Sequence, residues 1–578
     1  MTRQSRRRSA AAVPARSRAQ RVPAVPPIGA GAARALRRFV QQRPVVVALL
    51  LVAVHAVLAL LTFEPRPHTG GDNAAYITLG RSLLEQGTYT ELWDPLQPAH
   101  TKYPPIFPAV LAAAMAAGLT PWVQLKLIVV GFSALAVGAS FLWMRARRRP
   151  LLALGVGLVL ALAPGVLREG RWILSDVPFW AFTMIALWAF DRLRPDDWRR
   201  FVIAALATLL AYFTRSAGLP LVLAAFAWLA WRRSWRQLGA LAAIIGLPAV
   251  LWWLRARASG PAGYVSEFWL IEPYAPELGR IGAGDLLLRI TENLYKYLSR
   301  HLPELLASHA SLLLSALSIL IFLLALYGWG RRVRRARVAD LFLPLYIGLI
   351  FVWPAVWSGE RFLLPALPLV LFFAGDALTR LACRWTPRAS FATGAGACAL
   401  VLVVALPGLV RAVQAGRACT GLYLDGDRYP CLGGEAWQEF FGVAELSAEA
   451  LPDDAVVLSR KPRLFYVLSG LRGRNYPLFE QTGAFFATVD SVAARYVVFD
   501  RLDAVSERYL RPVLTRRPAA FCLMGAAPGG TVLFGILPDH AAAPELTAEA
   551  AEAAEVGFAY CPEDYWRSAE ARLRVLGP

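Results

Sequence analysis

Long apolar stretches separated by short polar punctuation dominate this chain. The 20 residues Pro44 to Phe63 contain no charged side chain. At about 1.5 Å per residue a helix of that length spans a hydrocarbon core of about 30 Å. Comparable runs follow at roughly 122–144, 150–167, 177–190, 201–214, 217–231, 238–254, 309–330, 338–356, 362–379 and 391–411. The pattern predicts a polytopic α-helical membrane protein with about 11 spans in residues 44–411. Ile106 to Leu119 is also apolar but only 14 residues long, which suits a shallow or re-entrant helix better than a full crossing. The first run is too long for a signal-peptide core, and Glu64-Pro65-Arg66-Pro67 lacks a small-residue cleavage site, so it is expected to be retained.

Beyond residue 411 the pattern changes. Ala455 to Leu458, Ala494 to Phe499 and Val532 to Ile536 read as short buried strands, with a helical stretch around 461–470 between the first two. Residues 412–578 are therefore expected to form a C-terminal extracytoplasmic α/β domain. Four of the six cysteines fall there. Cys419 could pair with Cys431 and Cys522 with Cys561, as an oxidising outer compartment allows.

Charge sets the orientation. The chain has 578 residues, is 57% hydrophobic and carries a formal net charge of +21, a balance that at first suggests a nucleic-acid binder. Residues 1–43 hold 11 Arg and no acid and read as a disordered basic cytoplasmic tail. Arg clusters at 145–149, 192–200, 232–236, 331–337 and 380–388 lie between alternate pairs of spans. Such short Arg-rich loops stay cytoplasmic. Tail, clusters and the adjoining Asp191 together hold 30 of the 61 basic residues and three of the 40 acids, so the rest of the chain is net −6. The basicity records membrane orientation, and no nucleic-acid partner is expected. The lipid bilayer is the expected partner, in the cell inner (plasma) membrane, with the N-terminus cytoplasmic. Residues 64–121 and 255–308 then form the large outer loops, on the same side as the tail domain.

Candidate chemistry gathers on that outer side. Gly70-Gly71-Asp72 follows the first span and opens an amphipathic stretch, so Asp72 sits near a helix N-terminus, a common place for a carboxylate. His100-Thr101-Lys102-Tyr103-Pro104-Pro105 places one of only four lysines at headgroup depth. That suits either a snorkelling side chain or a contact to a lipid phosphate. Ser175-Asp176-Val177-Pro178 is an ordinary helix start, preceded by Arg168-Glu169-Gly170-Arg171. Ser358-Gly359-Glu360-Arg361-Phe362 places a Glu–Arg pair between two apolar helices.

Taken in order, Gly71-Asp72, Lys102-Tyr103-Pro104-Pro105, Leu174-Ser175-Asp176-Val177-Pro178 and Gly359-Glu360-Arg361-Phe362-Leu363-Leu364-Pro365 resemble the GT-C membrane glycosyltransferases. The set is most similar to the branch of protein O-mannosyltransferases and lipid A aminoarabinose transferases. The likeness covers roughly 44–411. The tail, with Ser459-Arg460-Lys461-Pro462-Arg463-Leu464-Phe465-Tyr466, looks like the outer domain of some bacterial members. The resemblance implies a polyprenyl-phosphate sugar donor, a glycan, lipid or protein acceptor, and a role in the cell envelope. It implies Asp72 as the base or orienting carboxylate and Asp176 as the second carboxylate of the site. Lys102, Arg171, Arg215 and Arg361 become phosphate candidates, with Tyr103 and Glu360 beside them. Attack opposite the phosphate predicts inversion at the anomeric carbon.

One departure matters. Many members carry a second acid beside or two residues beyond the first aspartate, and some of those bind a divalent metal. Here the run is Asp72-Asn73-Ala74, so no metal and no other cofactor is expected. Two other classes remain as alternatives. A transporter or flippase for a lipid-linked glycan would show internal repeats and broken or ionisable mid-span segments, and no convincing repeat is present. A non-catalytic envelope scaffold would use the tail domain to bind a wall component.

Overall fold

The computed structural model describes residues 30–147, 149–258, 267–333, 337–384, 387–479, 481–553 and 557–576. The first 29 residues of the expected basic tail lie outside that set. The remainder of that tail is not irregular: α1 (Ala30–Gln42) is a helix. Its C-terminal carbonyls accept hydrogen bonds from Arg145, whose Nη2 lies 2.7 Å from Gln41 O, and Val40 is fully buried. An amphipathic segment with a surface to lie on becomes helical despite its charge.

Each of the eleven predicted apolar runs is helical. In chain order the helices are α2 (Pro44–Leu61), α3 (Gly71–Arg81), α4 (Ile106–Ala116), α5 (Trp122–Ala146), α6 (Pro150–Leu162), α7 (Pro164–Glu169), α8 (Asp176–Asp191) and α9 (Trp198–Thr214). They continue as α10 (Leu219–Trp231), α11 (Trp235–Ala258), α12 (Ala283–Lys296), α13 (Leu302–Ala307), α14 (Leu312–Gly330), α15 (Val338–Val352), α16 (Leu367–Cys383) and α17 (Pro387–Leu424). The 150–167 run divides at Ala163–Pro164, where proline cannot continue the hydrogen-bond ladder. Among the described residues five helices are long and apolar enough to cross a membrane: α2, α5, α11, α14 and residues 392–424 of α17. On α2 the apolar side chains Val45, Leu49, Leu50, Val57 and Leu60 face outward, a surface that lipid satisfies and water does not. α4 has 11 residues, about 16 Å of helix, and packs Phe107 and Leu111 fully inside.

Two expected boundaries move. α17 runs on through 412–424, because nothing breaks the helix before Asp425-Gly426-Asp427 and Gly416 lets it pack tightly on the end of α2. A Cβ at Gly416 would lie 2.7 Å from Leu61 O. The second outer loop, expected at 255–308, is largely helical where described. α12 is amphipathic, with Leu287, Leu288 and Tyr295 exposed, and a wide turn at Tyr297–His301 joins it to α13.

The tail domain is an α/β sandwich. Its helices are α18 (Glu435–Ala450), α19 (Pro462–Ser469), α20 (Thr482–Val492), α21 (Arg511–Arg516), α22 (Ala548–Ala553) and α23 (Ala569–Leu576); its strands are β1 (Val457–Leu458), β2 (Gly473–Arg474), β3 (Tyr496–Phe499), β4 (Phe521–Ala526) and β5 (Val532–Ile536). The sheet order is β2-β1-β3-β5-β4. β1 runs parallel to β2 and β3, and β5 antiparallel to β3 and β4. Alternate β3 residues face opposite layers: Tyr496 and Val498 meet Phe440, Phe441 and Phe465, while Val497 and Phe499 meet Phe485, Val489 and Val513. That period of two is what the apolar run promised.

Polar contacts clamp this domain onto the loops between α2 and α5 and between α11 and α12. Arg474 makes two bonds to Asp94, at 2.8 and 3.0 Å, and Gly473 N donates to Trp93 O at 2.8 Å. Arg508 meets Glu277 at 2.5 Å, and Tyr509 Oη donates to Tyr274 O. Disulfides join Cys419 to Cys431 and Cys522 to Cys561. The second closes 39 residues between β4 and the C-terminal segment. Replacing both its cysteines by serine is expected to destabilise the tail domain by about 2–4 kcal/mol. Limited proteolysis of the full chain would read this as earlier cleavage within the tail.

Candidate functional site

A cavity of about 810 Å³ lies between one end of the helical bundle and the tail domain. Seven cationic side chains line it (Lys102, Arg168, Arg215, Arg361, Arg460, Lys461 and Arg463) against four carboxylates (Asp72, Glu169, Glu267 and Glu360). An excess of positive charge in a concave, partly desolvated space favours an anionic ligand.

Asp72 is the second residue of α3, whose N-cap Gly70 is extended. Its Oδ1 accepts from Tyr103 Oη at 2.8 Å, and its Oδ2 accepts from Arg361 Nη2 at 3.0 Å. Burial works against ionisation, but Arg361 and then Tyr103 outweigh it and hold this carboxyl well below the usual carboxylate range. The other edge of the same guanidinium faces Asp176, at 3.9 Å from Nη1. Asp176 begins α8, accepts from Arg215 Nη1 at 3.1 Å and is almost fully buried. Tyr76 Oη, Ser175 Oγ and Arg215 complete the network, with Tyr76–Ser175 at 2.7 Å and Arg215–Ser175 at 3.1 Å. Arg215 and Arg361 both lie against the Phe362 ring.

The turn leading to Asp72 is pinned from below. Lys126, in α5, donates to Glu64 O at 2.5 Å and Arg66 O at 2.7 Å and sits 4.5 Å from the Trp172 ring centre. His68 Nδ1 accepts from Gly70 N at 3.0 Å. Burial, then Arg361, lowers the His68 pKa to about 4, so the ring is neutral and free to accept. A side chain at Gly70 would press a Cβ to 2.5 Å from that ring.

Six of the eight site residues expected from the sequence reach the cavity: Asp72, Lys102, Tyr103, Arg215, Glu360 and Arg361. Lys102 is bonded to Glu267 at 2.6 Å and faces Trp357. Asp176 supports the cavity from behind through its two arginines. Arg171 does not join them. It pairs with Glu64 at 2.6 Å and also donates to Thr62 O, so it ties the end of α2 to the loop after α7 and does not line the cavity. An Arg near a helix end has the same sequence appearance whether it faces a cavity or a buried Glu.

Several cavity residues went unselected by sequence. Arg168 Nη2 bonds Glu360 at 2.6 Å and its Nε bonds Glu169 at 3.1 Å. His301 and Arg168 outweigh burial at Glu360 and bring its pKa down to about 2. At Glu169 burial prevails over Arg168 and raises the pKa to about 7. The tail residues Arg460, Lys461 and Arg463 gave one usable signal, the scarcity of lysine that had marked Lys102.

The donor set at Asp72 does not fit a divalent cation. Its oxygens are bonded to Tyr103 and Arg361, and the next residue is Asn73 rather than a second acid. Among the described residues one other group has ligand atoms close together, His301, Glu304 and Glu360, within 4.8 Å of one another. Arg168 and Arg300 already bond its two carboxylates.

No protein-family model matches the sequence, and no curated protein matches it. Solved structures do. The apo oligosaccharyltransferase of Archaeoglobus fulgidus is similar with a TM-score of 0.52 and 13% identity, over 92% of this chain and 77% of that one. The same enzyme in complex with Zn and sulfate gives 0.51 and 14%, over 84% and 72%. ArnT from Cupriavidus metallidurans bound to undecaprenyl phosphate gives 0.51 and 16%, over 85% and 98%. At such identity the likeness is one of fold, and the fold is that of the GT-C glycosyltransferases.

The Glu169 environment carries a pH signature. Its folded carboxyl holds a proton more tightly than the unfolded one, so between about pH 4.5 and 7 stability falls as pH rises. Thermal midpoints of the full protein measured across this window are expected to drop for the wild type and to be flatter for Glu169→Gln. Parallel slopes would remove Glu169 as the source.

Proposed function

We propose that this protein is an integral-membrane glycosyltransferase of the GT-C superfamily. It moves a sugar from a polyprenyl-phosphate donor to an acceptor at the outer face of the membrane, with inversion at the anomeric carbon. The observation that carries the reading is one guanidinium, Arg361, holding Asp72 at the wall of a cation-rich cavity and reaching toward buried Asp176. The undecaprenyl phosphate bound to ArnT and the NVT-containing acceptor peptide tethered to the archaeal oligosaccharyltransferase support a lipid-linked donor and a separate acceptor. In this reading the eleven apolar helical segments cross the membrane, the Arg-rich turns are cytoplasmic, and the tail domain is extracytoplasmic.

The chemistry follows from charge. An acceptor hydroxyl or amine forms a bond to the anomeric carbon while the bond from that carbon to the phosphate oxygen breaks. The electron pair leaves with the phosphate, whose charge grows by one. Arg361, Arg215 and Lys102 are placed to balance that charge. With its pKa depressed, Asp72 is ionised at rest and accepts a hydrogen bond from the acceptor nucleophile. Once the donor phosphate draws Arg361 toward itself, Asp72 loses its strongest counter-charge, becomes more basic and can take the proton. Neither carboxylate forms a covalent sugar intermediate.

Asp72→Asn is expected to keep the fold and membrane insertion but to lower transfer from a polyprenyl-phosphate sugar by at least about 100-fold. Full activity in this variant would take Asp72 out of the mechanism. Movement of a lipid-linked sugar between leaflets without transfer would identify a flippase. Transfer is also expected to survive treatment with a chelator, and loss that is restored by added divalent metal would refute the metal-free chemistry.

A further inference from the structure

The tail domain contributes Arg460, Lys461 and Arg463 to the cavity wall. Two of these already have partners. Arg463 reaches Glu91 at 3.5 Å and lies over Trp93. Arg460 pairs with Asp503 at 3.2 Å and lies over Tyr274, although its Nε is buried without a hydrogen-bond partner. Lys461 is different. Its side chain lines the cavity, and among the described residues its ammonium meets no carboxylate within ion-pair distance and makes no hydrogen bond.

The other three lysines are engaged: Lys102 with Glu267, Lys126 with two carbonyls, and Lys296 with Glu292 and Ala355 O. Burial and then the neighbouring Arg460 hold the Lys461 amine below the usual lysine range, against the weaker opposing pull of Asp503, Asp72 and Asp500, as expected of a buried cation with no direct ion pair. The segment is rigidly set. Asn475 Nδ2 donates to Arg460 O at 3.0 Å, Pro462 is the first residue of α19, and the Arg474–Asp94 clamp anchors the adjacent strand.

We propose that Lys461 forms an anion-binding subsite on the tail-domain wall of the cavity, which takes a phosphate group carried by a substrate. It is contributed by the tail domain, whereas Lys102, Arg215 and Arg361 come from the helical domain. The glycosyl-transfer reading enters only in naming the source, which is either the donor's phosphate or a second phosphate on the acceptor. A subsite of the second kind makes the acceptor a phosphorylated one.

The test uses the full-length protein in lipid nanodiscs with two probes, inorganic phosphate and undecaprenyl phosphate. Lys461→Met is expected to weaken inorganic phosphate binding at least tenfold. Lys461→Arg should restore it, with the thermal midpoints of all three proteins in agreement. A matching tenfold loss of undecaprenyl-phosphate affinity assigns the subsite to the donor. Unchanged lipid affinity, with the phosphate loss persisting in lipid-saturated protein, assigns it to the acceptor. Equal affinities in wild type and Lys461→Met for both probes, or no binding of either, overturn the subsite. Lys461-dependent phosphate binding in a protein that ignores undecaprenyl phosphate would keep the subsite and reject the lipid-donor reading.

Discussion

The Arg361 guanidinium has two edges, and the architecture of the site depends on what each one faces. One edge holds Asp72 at the start of α3; the other faces Asp176 at the start of α8. A planar fork can do this where a lysine ammonium cannot, because its donors point in fixed and different directions. The two carboxylates belong to elements about a hundred residues apart in sequence, so this one side chain sets the spacing of the cavity wall. Arg215 shares Asp176 and Phe362, which keeps the second cation beside the first. Removing charge from either side of such a partly buried network leaves the Asp176 end, which is buried, uncompensated.

The outer loop between α2 and α5 is held by similar means. Lys126 rises from α5 to fix the carbonyls of Glu64 and Arg66, while Arg171 closes on Glu64. Asp72 therefore projects from a turn tied to two membrane helices. The tail domain closes the cavity from the other side through Arg474–Asp94 and Gly473–Trp93. The sheet edge that carries Arg474 thus also positions Arg460 and Lys461. A site assembled from the helical bundle, the loop between α2 and α5 and the tail domain gains its precision from these ties, since no single element carries enough of it.

Much of this was legible in one dimension. All eleven apolar runs became helices, because in lipid or in a tight bundle the backbone has no other way to satisfy its hydrogen bonds. The three strongest strand signals in the tail became β1, β3 and β5. β2 was invisible because two residues, Gly473 and Arg474, carry no period. The second outer loop hid an amphipathic helix, α12, among its charged residues. Asp72, Lys102, Tyr103, Arg215, Glu360 and Arg361 line one cavity. Arg171 parts from them because local sequence cannot distinguish a cavity-facing cation from one buried against Glu64.

The sequence by itself determined which segments are helical, which turns carry the arginines, and where the reactive residue types fall along the chain. These properties depend on neighbours within a few residues, through helical period, capping and charge density. Only the tertiary structure decided which cation faces which carboxylate. Arg361 bridges, Arg171 is bound elsewhere, Glu169 keeps its proton to about pH 7, and the Lys461 ammonium makes no direct ion pair among the described residues. Ion pairing and desolvation act across space between residues far apart in the chain, so their outcome is settled only when the helices and the tail domain have packed.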